Sequence, residues 1–138
     1  MATLLLTDNE TSFRQALAKR LEEAGYEVLQ AGGGQEALDL YRRHRVEAVI
    51  TAVLMPDRDG IEVIQEILGR GQATPVLAMS GGCALCGLDI GKLAQRIGAR
   101  RVLEKPFTAD VLLQALEDIL GPGSRGIPSS RGEARHAA

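Results

Sequence analysis

The stretch Ala48-Val49-Ile50-Thr51-Ala52-Val53-Leu54 constrains the fold more than any other part of the 138-residue chain. It carries no charge and does not alternate, so a strand built from it must be covered on both faces. Parallel sheets meet that requirement, because each crossover lays a helix on the sheet.

The remaining chain repeats the pattern that such a sheet needs. Leu4-Leu5-Leu6 stops at Thr7-Asp8-Asn9-Glu10, and Phe13, Ala16, Leu17, Leu21 and Ala24 then follow at helical spacing. Gly25 stands where a helix C′ glycine belongs. A β-type segment from Tyr26 to Gln30 leads to Gly32-Gly33-Gly34, and a second helix with Ala37, Leu38 and Tyr41 inward runs to about His44. Beyond Met55-Pro56 and Asp57-Arg58-Asp59-Gly60, a third helix places Ile61, Ile64, Ile67 and Leu68 on one stripe. Pro75 to Met79 form a fourth strand, and Ser80-Gly81-Gly82 open a loop. A fourth helix runs from about Leu88 to Ile97 and ends at Gly98, and Arg101 to Glu104 make a fifth strand. Thr108 can cap a last helix containing Val111, Leu112, Ala115, Leu116, Ile119 and Leu120.

Five strands alternating with five helices through short connections predict an α/β flavodoxin-like (βα)5 three-layer sandwich with parallel strand order 2-1-3-4-5. The ligand site of such a sheet lies beyond the carboxyl ends of its strands, at the switch point beside strands one and three. Asp8, Ala52, Ser80 and Lys105 all fall at that edge. The expected organisation is one domain over residues 1–120, followed at 121–138 by a disordered Gly/Pro/Ser/Arg tail.

Composition narrows the function. Sixteen Lys and Arg against 18 Asp and Glu give a formal charge of −2, without the basic excess of a nucleic-acid or anionic-membrane binder. The only aromatics, Phe13, Tyr26, Tyr41 and Phe107, are too few for a base-stacking platform. Two cysteines make no disulfide scaffold, no cleavable leader opens the chain, and no apolar run suffices for a membrane span. A soluble cytoplasmic protein is expected, with neither nucleic acid nor membrane among its partners.

Four strand-end motifs occur in order: Thr7-Asp8-Asn9, Met55-Pro56-Asp57-Arg58-Asp59-Gly60, Met79-Ser80-Gly81 and Lys105-Pro106-Phe107-Thr108. Over about residues 3–120 the chain thereby resembles the CheY-like receiver domains of bacterial response regulators, of the single-domain chemotaxis type. The resemblance implies paired acids that hold a divalent cation, an Asp closing strand three that accepts a phosphoryl group, a Ser or Thr after strand four, and a Lys, usually before a cis proline. It also implies two-component signalling and phosphorelay, with a histidine kinase or downstream regulator docking on the face of helix four, strand five and helix five. A homodimer is left open.

Three positions depart from that pattern. Counting back from Met55-Pro56, the phosphoacceptor-equivalent position is Ala52, whose methyl group has no lone pair with which to attack phosphorus. Neither Thr51, Val53 nor Leu54 supplies the missing acid, and Asp57 lies past Pro56 in the turn. The acidic pair is Asp8-Asn9, which leaves a single carboxylate where magnesium is normally kept by one or two. No metal site and no cofactor are therefore expected, Asp8 and Asn9 being vestigial. Asp8 should pair with Lys105 directly or through water. The switch pair would be Ser80 and Val102, but Val102 is β-branched and has no ring to swing.

The expected protein is a single-domain pseudo-receiver, not an enzyme, in which Asp8, Asn9, Ser80 and Lys105 form a residual phosphate pocket and output comes from protein–protein interaction. One alternative is an ordinary phosphorylatable receiver whose position 52 has been changed from Asp; Asn9 and Val102 count against it, since one change explains one departure. Another class is a thiol redox sensor through Cys83 and Cys86, whose spacing is half a zinc site at best. Arg96, Arg100 and Arg101 should give the docking face a basic edge. The basic tail and the partner are undetermined by these residues.

Overall fold

The computed structural model describes residues 2–53, 60–69, 74–81 and 90–121. Elements follow in strict alternation: β1 (Thr3–Thr7), α1 (Thr11–Glu23), β2 (Glu27–Ala31), α2 (Gly34–Arg43), β3 (Ala48–Ala52), α3 (Gly60–Leu68), β4 (Val76–Ser80), α4 (Ile90–Arg96), β5 (Arg101–Glu104) and α5 (Ala109–Leu120). The strands form one parallel sheet in the order β2-β1-β3-β4-β5. The doubly wound architecture expected from the alternation is the one found.

Strand periodicity divides the core into two layers. Leu4, Leu6, Ile50, Leu77 and Met79 meet Leu17 and Leu21 of α1 and Leu112 and Leu116 of α5. Leu5, Val49, Val76 and Ala78 meet Ala37, Leu38 and Tyr41 of α2, Val63, Ile64 and Ile67 of α3, and Ala94 of α4. Successive strand residues point to opposite faces, so β1, β3 and β4 are apolar at nearly every position. All five residues of β3 and of β4 are buried. Each leucine-sized side chain so covered contributes about 2 kcal/mol from its apolar area.

Several boundaries differ from the sequence reading for identifiable reasons. Tyr26 N donates to Leu21 O at 3.2 Å, so Tyr26 closes the turn after α1 and β2 begins one residue later. That turn uses Gly25 at φ 102°, a left-handed conformation that glycine adopts without the Cβ clash. Ser80 is the last residue of β4 and not the opening of a loop, because it pairs with Glu104 and its carbonyl accepts from Lys105 N at 2.7 Å. β3 ends at Ala52, and Leu54 lies outside the described residues, as does Leu88.

The buried helix faces differ in part from the apolar spacing. Ala18, Val63 and Leu113 are buried, whereas Ala16 is exposed and Ile61 and Leu68 are half-buried. Val111 is 47% exposed, the one large apolar side chain so open among the described residues. The Thr108 cap is present: its hydroxyl accepts from Val111 N at 3.3 Å. The 121–138 tail lies outside the described residues beyond Gly121.

Candidate functional site

Register decides which side chains share the carboxyl edge of the sheet. Thr7 pairs with both Ala31 and Thr51, Ala52 with Met79, and Ser80 with Glu104. The ladder runs on past the strands: Asp8 N donates to Ala31 O at 3.1 Å and Val53 N to Met79 O at 3.0 Å. Asp8 and Lys105 each lie two residues beyond a side chain of the α1/α5 layer, Leu6 and Leu103, and Ala52 belongs to that layer. Period two therefore brings Asp8, Ala52 and Lys105 to one side of one edge.

Asp8 is held at both oxygens. Oδ1 accepts from Glu10 N at 2.9 Å, a local turn that short acidic side chains favour. Oδ2 accepts from Lys105 Nζ at 2.7 Å. Direct pairing of Asp8 with Lys105 is thus what the structure contains. The Asp8 side chain is 2% exposed and that of Lys105 21%, so solvent screens this contact much less than a surface ion pair. Glu10 Oε1 stands 3.6 Å from the same ammonium, and Arg14 Nη1 donates to Asp8 O at 2.8 Å. Arg14 is braced in turn by Gln30 Oε1, 3.1 Å from its Nε.

An aromatic pair closes the other side of the lysine. Nζ lies 4.4 Å from the Phe13 ring centroid, within range of a cation–π attraction. Phe13 meets Phe107 edge-on, with centroids 5.9 Å apart and planes at 84°, an arrangement that aromatic quadrupoles favour. The Lys105–Pro106 bond that leads to Phe107 is cis, as the resemblance implies.

Other residues singled out in the sequence distribute unevenly. Ser80 is buried at the end of β4, and Ala52 is 4% exposed at the end of β3. Asn9 is exposed. Val102 sits opposite Ala78 in β5, packs partly against the α2/α3/α4 layer, and lines a recess of about 460 Å³ with Lys92, Gln95, Leu103, Glu104, Phe107 and Val111. Arg101 does not form a bare basic edge: its guanidinium donates to Asp118 Oδ2 of α5 at 3.0 and 3.2 Å. Asp57, Cys83 and Cys86 lie outside the described residues. Glu10 and Phe13 belong to the acidic turn and to the inward face of α1, but nothing in the spacing of Glu10, Phe13 and Arg14 signals their contacts with Lys105 and Asp8.

Among the described residues, the Asp8 carboxylate that would face a magnesium ion is already engaged. Octahedral magnesium is usually held by one or two carboxylates. Here Asp8 spends one oxygen on a backbone amide and the other on Lys105, position 52 has no oxygen in its side chain, and Asn9 brings no charge. Among the described residues no group of three His, Cys, Asp or Glu is placed to hold a metal.

A doubly wound parallel sheet with a lysine bound to an acid at its carboxyl edge defines a receiver-type signalling fold. The family model of the response regulator receiver domain matches residues 4–117. The chain is 36% identical over 115 residues to the transcriptional regulatory protein PdtaR of Mycobacterium tuberculosis, covering 83% of this chain and 54% of PdtaR. It is 33% identical over 121 residues to the response regulator MprA of Mycobacterium sp. strain KMS, covering 85% and 50%. The crystallised chemotaxis protein CheY4 of Vibrio cholerae superposes with a TM-score of 0.76 at 33% identity, over 86% of this chain and 98% of that one. This chain belongs to the response regulator receiver family of two-component signalling. It spans about half the length of the curated relatives it matches. Among the described residues no helix is long and apolar enough to cross a membrane.

Proposed function

We propose that this chain is a pseudo-receiver: it keeps the receiver fold, is not phosphorylated on an aspartate, and signals through protein–protein interaction. The observation that carries the reading is Ala52, buried where β3 ends on the same edge as the Asp8–Lys105 contact. An acyl phosphate needs a carboxylate oxygen to attack phosphorus, and Ala52 has none. A divalent cation has little to bind, since the Asp8 carboxylate is already neutralised by Lys105 at 2.7 Å. The internal ion pair stands where phosphate and metal would otherwise set the state of the pocket, so output is constitutive or controlled elsewhere.

The partner is a protein, a histidine kinase or a downstream regulator, met on the face of α4, β5 and α5 in the cytoplasm. That face offers the recess beside Val102 and the exposed Val111. Apolar side chains left open beside polar ones are what a protein interface uses. No catalysis and no cofactor belong to this reading.

Incubation with a small phosphodonor and magnesium, followed by intact-mass measurement, tests the proposal on the unmodified chain and on Ala52→Asp. No adduct on the unmodified chain is expected. A phosphoryl adduct there overturns the reading. Phosphorylation of Ala52→Asp alone would mean that the rest of the pocket is competent and that residue 52 by itself silences it.

A further inference from the structure

At the opposite end of the sheet, where α2 runs out toward β3, four consecutive residues are basic or titratable: Arg42-Arg43-His44-Arg45. With Tyr41, Val46 and Thr74 they line a recess of about 660 Å³, within the usual size of small-ligand sites. Tyr41 Oη and Thr74 Oγ1 lie 2.8 Å apart in a buried hydroxyl pair that forms part of its lining.

The charges in this recess are unevenly used. Arg42 is shared between Asp39, at 3.2 Å, and Glu66 of α3, at 3.4 Å. Arg43 and Arg45 are exposed, and among the described residues neither has a carboxylate within ion-pair distance. Glu47, two residues on, is already occupied by Thr3 N at 2.8 Å. A basic residue in the last turn of a helix also answers the helix's negative end. One or two cations suffice for that, and Arg42 and Arg43 already occupy the last turn. Arg45 lies beyond it. The surplus is concave, arginine-rich and set in a chain of net charge −2, so the whole-molecule field does not account for it.

We propose that this recess binds a ligand carrying linked phosphoryl groups, either a free oligophosphate or the phosphate chain of a nucleotide. Guanidinium forks match phosphate oxygens two at a time, which a single ammonium cannot do. The recess suits a compact polyanion better than a nucleic-acid strand, because among the described residues its walls are the end of α2, the turn through Val46, and Thr74, with Tyr41 the one aromatic and its ring buried. The assignment is independent of residue 52 and of the phosphorylation reading.

Calorimetric titration with inorganic tripolyphosphate at low salt tests it on the full chain, on Arg43→Ala/Arg45→Ala, and on Arg20→Ala, which removes a charge from α1. Saturable binding is expected for the parent and for Arg20→Ala, and binding weaker by roughly tenfold or more for the double variant. No saturation in the parent, or equal affinity in the double variant, overturns the proposal. Both arginines are exposed, so folding should survive, and an unchanged urea midpoint verifies it. A nucleoside triphosphate titrated in parallel identifies the source: tighter binding than tripolyphosphate assigns a nucleotide, and equal or weaker binding assigns a free oligophosphate. An oligonucleotide that binds through these arginines when tripolyphosphate does not would assign the surface to a macromolecule and overturn the small-ligand reading.

Discussion

Lys105 Nζ lies 2.7 Å from Asp8 Oδ2 across 97 residues of sequence, with the Asp8 side chain only 2% exposed. The contact ties the turn after β1 to the turn after β5, which are separated in the sheet by β3 and β4. Removing one partner strands the other charge in a poorly hydrated place. Lys105→Met should therefore destabilise the chain by about 3 kcal/mol in urea unfolding. Adding Asp8→Asn to Lys105→Met should restore part of that loss. An additive double-mutant cycle would mean that the pair contributes no coupling.

Thr7 Oγ1 is a buried hydroxyl with no hydrogen-bond partner among the described residues. Thr7 itself is wholly buried in β1, between Ala31 of β2 and Thr51 of β3, whose own hydroxyl donates to Ala52 O at 3.0 Å. Thr7→Val keeps the shape and removes the unsatisfied oxygen, so it should stabilise by about 1 kcal/mol. A raised urea midpoint with an unchanged m value is the expected result.

Gly60 opens α3 directly against the end of β3. A Cβ there would collide with Ala52 O and come within 2.7 Å of Val53 Cα, both backbone atoms that cannot swing aside. Gly60→Ala should cost about 2–3 kcal/mol. Gly81, where a Cβ meets nothing within 4 Å among the described residues, provides the control: Gly81→Ala should leave the midpoint nearly unchanged. Equal effects at the two positions would show that the close approach does not matter.

The Thr108 hydroxyl accepts from Val111 N at 3.3 Å and is the only side-chain cap on a helix N-terminus among the described residues whose cap is defined. Thr108→Ala should cost about 1 kcal/mol, and Thr108→Asp should retain most of the stability. Thermal melts of the two variants distinguish loss of the acceptor from a general effect of substitution.

Ala52→Asp introduces a carboxylate at a position only 4% exposed, on the edge that already holds the Asp8–Lys105 pair. In metal-free buffer it should unfold at lower urea than the parent, by about 2 kcal/mol. Millimolar magnesium should recover part of that loss in the variant and leave the parent's midpoint where it was. A comparable magnesium-induced rise in the parent would show that its pocket holds the cation without the second acid.

Much of this is legible in the sequence. The uncharged run from Ala48 to Leu54 demanded a two-faced strand, and β3 is buried at every residue. Strand order followed from the alternation of strands and helices, the Thr108 cap from residue type, and the pairing of Asp8 with Lys105 from the resemblance to receivers together with the acids absent at positions 9 and 52. Helix faces were less legible where apolar residues crowd together: Val111 is exposed and Leu113 buried, because α5 buries the face of Leu112, Leu113, Ala115 and Leu116, a choice among consecutive apolar residues that only packing makes. The sequence Ser80-Gly81-Gly82 resembles a turn, yet Ser80 ends a strand. Its pairing with Glu104 depends on β5, which follows only after α4.

The order of residue types determined that this chain forms a doubly wound parallel sheet, and it determined that residue 52 at the carboxyl edge carries no carboxylate. Those properties depend on local periodicity and on the identity of single side chains such as Ala52. Tertiary structure decided what the surviving groups do. Phe13 comes to lie over Lys105 at 4.4 Å, Arg14 reaches the carbonyl of Asp8, and Arg101 is spent on Asp118. These contacts join residues far apart in sequence or depend on where a helix settles on the sheet, and packing sets those distances only once both core layers have closed.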